Sequence, residues 1–184
     1  MSPRAKLLVL AAIFAAPIVA SVIAYNVMEP KATGNFGELL LPPVKVTAQP
    51  LQAPGGGVFA FGGLAGKWVL VASDSGECTR GCRDKLEAMR QVRLALGRNA
   101  GRVERVFVVD DLRRPDPGML EEFSGMRVAL TPTGLALPPG AGNDRAHVYL
   151  VDPHGNVMLR WPAGADRKRM LGDLQRLLKA SQIG

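Results

Sequence analysis

The sequence is poor in cysteine, histidine and aromatic side chains: two Cys and two His stand in 184 residues, with 5% Phe, Trp and Tyr. A structural zinc site would have to draw on all of the Cys and His at once, which argues against one. The shortage of aromatics leaves the core to Val, Leu, Ala and Met, and with 47% apolar residues such a core can be filled. Acidic residues are also scarce, with 16 Asp and Glu against 23 Lys and Arg and a formal charge of +7. A basic chain raises the question of nucleic acid. Here the arginines are scattered and no aromatic residues interleave with them, so no nucleic-acid partner is expected. The basic excess reads instead as a solvated face near anionic lipid. There is no internal repeat, and the length suits one domain plus an appendage.

Charge is missing altogether from Leu7 to Met28, just after Arg4 and Lys6. At about 1.5 Å per residue, a helix over this run spans a hydrocarbon core about 30 Å thick. A cleaved secretory signal has a shorter apolar core, about 7–15 residues, and a small-residue cleavage site. "VIA" before Tyr25 matches such a site weakly. Residues 1–28 are therefore expected to form a transmembrane helix that stays attached. The basic residues ahead of it keep the N-terminus cytoplasmic. The rest of the chain then lies outside a bacterial inner membrane crossed once, in the periplasm, where disulfides form.

Residues 29–57, "EPKATGNFGELLLPPVKVTAQPLQAPGGG", are rich in Pro and Gly and read as a linker, with a short strand at "VKVTA". Residues 58–184 are expected to be the globular domain. "KWVLVAS" and "RVERVFVVDD" are apolar, β-branched runs that suit strands buried on both faces. Between them Leu86, Met89, Val92 or Arg93, and Leu96 recur at helical spacing, and Gly97 and Gly101 end the helix. A short helix near Pro117 and a strand "MRVALT" follow, then a Pro/Gly-rich loop from Thr131 to Asp144. "AHVYLVD" and "NVMLRWP" are joined by the turn "DPHG", as in a hairpin. Asp166 to Ile183 closes the chain as an amphipathic helix with Met170, Leu171, Leu174, Leu177 and Leu178 on one face. Strand–helix–strand, then hairpin and final helix, is the thioredoxin-like arrangement, so the fold class is α/β.

Both cysteines, Cys78 and Cys82, lie in "SDSGECTRGCRDKL", where the first buried strand gives way to the helix. Helix N-terminal N–H groups and the dipole favour a thiolate there, and Arg80 and Arg83 act in the same sense. Two thiols so placed can close a disulfide or hold one soft ion such as Cu(I). A purely structural disulfide over so short a loop would remove little chain entropy. Cys78, at the loop, is expected to be the more exposed and the attacking thiol, with Cys82 resolving.

"GKWVLVASDSGECTRGCRDKL" and "VYLVDPHGNVMLRW" together resemble the Sco (SenC-like) proteins of cytochrome c oxidase assembly, over roughly Phe59 to the C-terminus. The resemblance implies a membrane-tethered thioredoxin-like domain that binds copper through both cysteines and a histidine. Cys78 and Cys82 map directly onto the family motif. The family's histidine place holds Asp144, and its usual Pro after the first cysteine is Thr79. His147, three positions late at the start of a strand, is the candidate third ligand. His154, in the following turn, reads as an exposed turn residue.

Two functions follow. One is a membrane-anchored copper-handling factor, with Cu(I) as cargo and a cytochrome c oxidase subunit or another assembly protein as partner. The other is a thiol–disulfide oxidoreductase that keeps a partner's copper-site cysteines reduced. Peroxidase chemistry lacks its usual Thr ahead of the reactive cysteine, since Ser75 stands there.

Overall fold

A computed structural model describes residues 2–27, 34–46, 50–131, 144–181 and 183. The chain divides into two units, Met1–Thr33 and Gly34–Gly184. In the first, helix α1 covers Pro3–Val27 and tolerates Pro17 in its interior. Its Pro3–Ala24 stretch is long and apolar enough to cross a membrane. Leu7, Ile13, Phe14 and Ile18 are all exposed, as the side chains of a lipid-facing helix would be.

The second unit is built on one eight-stranded sheet: β1 (Glu38–Lys45), β2 (Leu51–Gln52), β3 (Val58–Phe59), β4 (Trp68–Asp74), β5 (Val103–Val109), β6 (Arg127–Leu130), β7 (His147–Val151) and β8 (Asn156–Pro162). The order across the sheet is β1-β8-β7-β4-β5-β6-β2-β3. β4, β5 and β6 are parallel, which requires the crossover helices α2 (Arg80–Ala95) and α3 (Pro117–Glu122). β7 and β8 pair antiparallel with each other, and β7 with β4. Helix α4 (Arg167–Ala180) packs beside α2.

Period-two alternation splits the core into two clusters, one on each face of the sheet. Leu70 and Ala72 of β4 enter the first with Leu86 and Met89 of α2 and Leu174 of α4. Val69 and Val71 enter the second, with Val106, Tyr149 and the turn residues Phe61 and Leu64. Asp173 fastens α4 to β8 and to the start of the unit. It is 1% exposed and accepts from Trp161 Nε1 at 2.9 Å and from the amides of Phe36 and Gly37 at 2.8 Å. Gly37 is needed there, because a Cβ would lie 2.7 Å from Trp161 Nε1.

The domain begins earlier than the sequence predicts. Within the supposed linker, 29–57, β1 pairs with β8 and β2 pairs with β6 and β3. Pro42 and Pro43 disguise β1 as a tether. On an edge strand a proline breaks no inner ladder, and the register shift between Leu39 and Val44 absorbs both. Helices α2, α3 and α4 and the β7–β8 hairpin fall where the periodicity puts them. Residues 132–143 of the expected long loop lie outside the described residues.

Candidate functional site: a buried disulfide at the start of a helix

β4 ends at Asp74, and α2 begins at Arg80 behind the N-cap residue Thr79. The loop between them exists because the parallel neighbour β5 demands that the chain turn back along the face of the sheet. Cys78 lies in this loop and Cys82 in the first turn of α2. They are joined in a disulfide with a Cα separation of 5.1 Å. Both are buried, Cys78 5% and Cys82 1% exposed, so the expected order of exposure holds by a narrow margin. Cys78 has φ +42°, in the left-handed region that non-glycine residues rarely adopt. Its amide donates to the Ser75 carbonyl at 3.0 Å.

The loop is held from one side by the segment that follows β5. Asp111 accepts from the Ser75 hydroxyl at 2.5 Å and from the amides of Gly76 at 3.0 Å and Arg113 at 3.1 Å. Gly76 has to be glycine, since a Cβ would overlap the Arg113 carbonyl. Arg113 also pairs with Glu77, and the Asp110 amide donates to the Asp74 carbonyl at 3.1 Å. Burial pushes the Asp111 carboxyl up, but the Ser75 hydroxyl, the two amides and the Arg145 guanidinium outweigh it and hold the group below the ordinary carboxylate value.

From the other side, Lys85 ties α2 to the end of β4. It is 2% exposed, and its ammonium has an acceptor for each of its protons: Ser73 O at 2.9 Å, Arg145 O at 2.6 Å and Asp74 Oδ2 at 2.7 Å. Arg145 in turn donates through Nε and Nη2 to Asp110, whose hydrogen bonds raise the guanidinium pKa further. Asp110 also accepts from the Ser73 hydroxyl at 2.9 Å. Lys85, Asp110, Asp111 and Arg145 were not singled out from the sequence. The signal was there for Lys85, which sits one turn after Cys82 on the apolar stripe that includes Leu86 and Met89. The aspartates were visible only as the polar end of a buried strand.

His147 does not join the cysteines. In β7, Val148 and Leu150 point into the cluster that contains Cys78 and Cys82, while Tyr149 and Val151 point into the other. The His147 ring packs 5.9 Å from the Tyr149 ring, on that second face. The expectation of His147 as a third ligand thus meets strand parity, which a small loop shift does not reverse. His154 is exposed in the β7–β8 turn, where its amide donates to Asp152 at 2.9 Å. Among the described residues no group of three His, Cys, Asp or Glu could hold a metal ion. The Asp144 side chain lies outside them. Of the flanking arginines, Arg83 is paired with Glu122 of α3 and Arg80 is exposed.

Residues 68–181 match the family described as the transmembrane-like, thioredoxin-like, C-terminal domain. The chain belongs to this family. The match covers both cysteines, the holding segment and α4, so the disulfide sits at the strand-to-helix junction of a thioredoxin-like domain. No curated protein sequence matches the chain. Similar solved structures include the apo Sco1 protein of Thermus thermophilus, 21% identical, with TM-score 0.60 over 80% of this chain and 99% of that one. Copper-bound yeast Sco1 is 19% identical, with TM-score 0.60 over 76% of this chain and 91% of that one. The thioredoxin domain of a thiol-disulfide oxidoreductase from Bacteroides vulgatus is 18% identical, with TM-score 0.52 over 72% of this chain and 94% of that one. At these identities the likeness is one of fold, and it holds for copper-binding and redox proteins alike.

Proposed function

We propose that this protein is a membrane-anchored copper-handling factor for the assembly of cytochrome c oxidase, with Cys78 and Cys82 as its working pair. The observation that carries the reading is the Cys78–Cys82 disulfide at the start of α2, in a fold shared with Sco1 proteins, one of them solved with copper bound. Reduction of the bond yields two soft donors whose Cα atoms lie 5.1 Å apart, and two thiolates suit Cu(I). Cu(II), which favours additional nitrogen ligands, is held weakly. Copper is cargo here, received by the reduced pair and passed to an oxidase subunit or another assembly protein. The apolar helix α1 supports attachment to the inner membrane, with the thioredoxin-like domain on the periplasmic side.

The test is Cu(I) competition against a chromophoric chelator on the reduced full-length chain in detergent. Cys78→Ser and Cys82→Ser should each lower the affinity by at least about a hundredfold, as loss of one of two metal–ligand bonds requires. Retention of parental affinity in the double serine variant contradicts the reading.

A second reading, a thiol–disulfide oxidoreductase acting on a partner's copper-site cysteines, is favoured by the closed disulfide and by the position of His147 on the opposite face. It predicts catalytic reduction of an oxidised Cys-x-x-x-Cys peptide by the reduced chain in the absence of copper.

A further inference from the structure

Helix α4 turns a face of one charge sign to solvent. Arg167, Lys168, Arg169, Arg176 and Lys179 are all exposed. At about 100° per residue, Lys168, Arg169, Gly172, Gln175, Arg176 and Lys179 fall in one stripe, opposite the buried Met170, Leu174 and Leu178. Among the described residues none of the five cations is in an ion pair. The carboxylates around the helix do not cancel them. Asp173 is on the buried side, where Trp161 and two backbone amides occupy it. Glu38 is paired with Arg160. Asp166 is exposed and caps the helix through the Arg169 amide. On the α2 side the groove between the helices is lined by Gln91, Val92 and Ala95. Asp84 and Glu87 stand about two turns and one turn along α2 from Gln91, and Glu87 is shared with Arg90. The C-terminal carboxylate belongs to residue 184, outside the described residues. Even with all of these counted, cations outnumber carboxylates on this side of the domain.

The chain also enters the domain against this helix. The Phe36 and Gly37 amides donate to Asp173, and the Arg169 guanidinium lies 3.8 Å from the centre of the Phe36 ring. A Cβ on Gly34 would come 3.5 Å from the Arg176 guanidinium. Six residues, 28–33, separate Val27 at the end of α1 from Gly34, and their charges, Glu29 and Lys31, cancel. Fully extended, that tether reaches about 25 Å. A domain of about 150 residues has a radius of gyration of about 15 Å and is about 38 Å across. The tether is therefore shorter than the domain is wide. With α1 in a membrane, the α4 side of the domain cannot turn to the far side from the bilayer.

We propose that the outward face of α4 docks on the headgroups of anionic phospholipids in the membrane that α1 crosses. This rests on α1 as the anchor and is independent of what the cysteine pair does. Two observations select a lipid surface as the occupant. The tether keeps these cations beside lipid phosphates, and the face carries no acidic residue to repel them. The stripe holds no aromatic side chain on which a nucleic-acid base could stack. Its cations are long side chains on a convex helix, which suits a layer of phosphates rather than one bound headgroup. Each basic residue near an anionic surface favours the docked state by about fivefold. Five acting together, on a domain already confined by its tether, hold it down. Docking gives a domain that would swivel on its linker one fixed face toward solvent.

The experiment places the full-length chain in nanodiscs of phosphatidylcholine alone or with about one third phosphatidylglycerol, a content that gives an anionic surface. A water-soluble amine-acylating reagent is applied, and labelling at each lysine is read by mass spectrometry. Lys45 is the internal reference, since it pairs with Asn156 beside the β7–β8 turn, away from α4. At low salt, labelling of Lys168 and Lys179 relative to Lys45 should fall by about fivefold or more in the anionic discs. Salt at about 0.5 M, where screening acts over about 4 Å, should restore it. The double variant Arg167→Glu, Arg176→Glu should label alike in the two lipids, within about twofold. Both residues are exposed, and labelling at the parental rate in phosphatidylcholine reports an intact domain. Arg127→Glu, on β6, should keep the protection, which separates the α4 face from total charge. Equal labelling of the parent in both lipids, or protection that survives the double substitution, would overturn the docking proposal. Retention in phosphatidylcholine discs through a high-salt wash is measured alongside. Retention with equal labelling sinks docking alone; loss from those discs sinks the anchor and docking with it.

Discussion

At the scale of single residues, the site is a strained loop held by charge. Cys78 takes a left-handed backbone that costs about 1 kcal/mol or more for a non-glycine residue, and the Asp111 bonds offset it. Asp111→Asn should weaken this hold, and pH should show it. The folded-state pKa of Asp111 lies below its unfolded value. Its contribution is therefore complete above the unfolded carboxylate pKa, near about 4, and is lost as pH falls through the lower folded value. The stability gap between parent and Asp111→Asn, measured by urea unfolding, should be widest at pH 6 and should close toward pH 3; a gap that grows on acidification contradicts this. His147→Ala separates strand parity from the displaced-ligand idea. Because the ring lies with Tyr149 on the far face, Cu(I) affinity should stay within about twofold of the parent, where loss of a true ligand costs at least about tenfold. A fall of that larger size would place His147 in the site.

At the scale of elements, Asp173 is the joint between α4, β8 and the entry of the chain into the domain. Asp173→Ala strands Trp161 Nε1 and two backbone amides in a buried setting. It should cost about 2–4 kcal/mol in chemical denaturation, with m unchanged. A loss below about 0.5 kcal/mol would mean water replaces the carboxylate there. Elements of this kind differ in how far the sequence reveals them. "KWVLVAS", "RVERVFVVDD" and the α2 stripe have one strong period each, and the structure follows them. β1 was hidden because two adjacent prolines look the same in a tether and on an edge strand. Asp173 sits on the buried, otherwise apolar side of an amphipathic helix, and its donors come from β8 and from the start of the unit. Long-range polar pairing of that sort leaves no local pattern. The cysteine pair was legible from spacing and position. The clamp made by Asp111 and Lys85 was not, since it depends on which loops meet at one end of the sheet.

At the scale of the whole molecule, one apolar helix and one thioredoxin-like unit account for the described residues. The helix should keep the chain in the membrane. Salt and carbonate washes should leave it in the pellet, and detergent should release it with the original N-terminus. Recovery of the domain in the wash, starting near Tyr25, would identify α1 as a cleaved signal. A chain kept at a membrane surface meets its partners there, which suits a factor that hands copper to a membrane-bound oxidase. On the proposed function, the Cys78–Cys82 pair holds copper only when its disulfide is open. The direct measurement is copper content per chain after loading reduced and oxidised full-length protein with Cu(I) under anaerobic conditions and removing the excess. One copper per reduced chain and none on the oxidised chain is the expected result; equal copper on both, or none on either, would contradict copper handling by this pair.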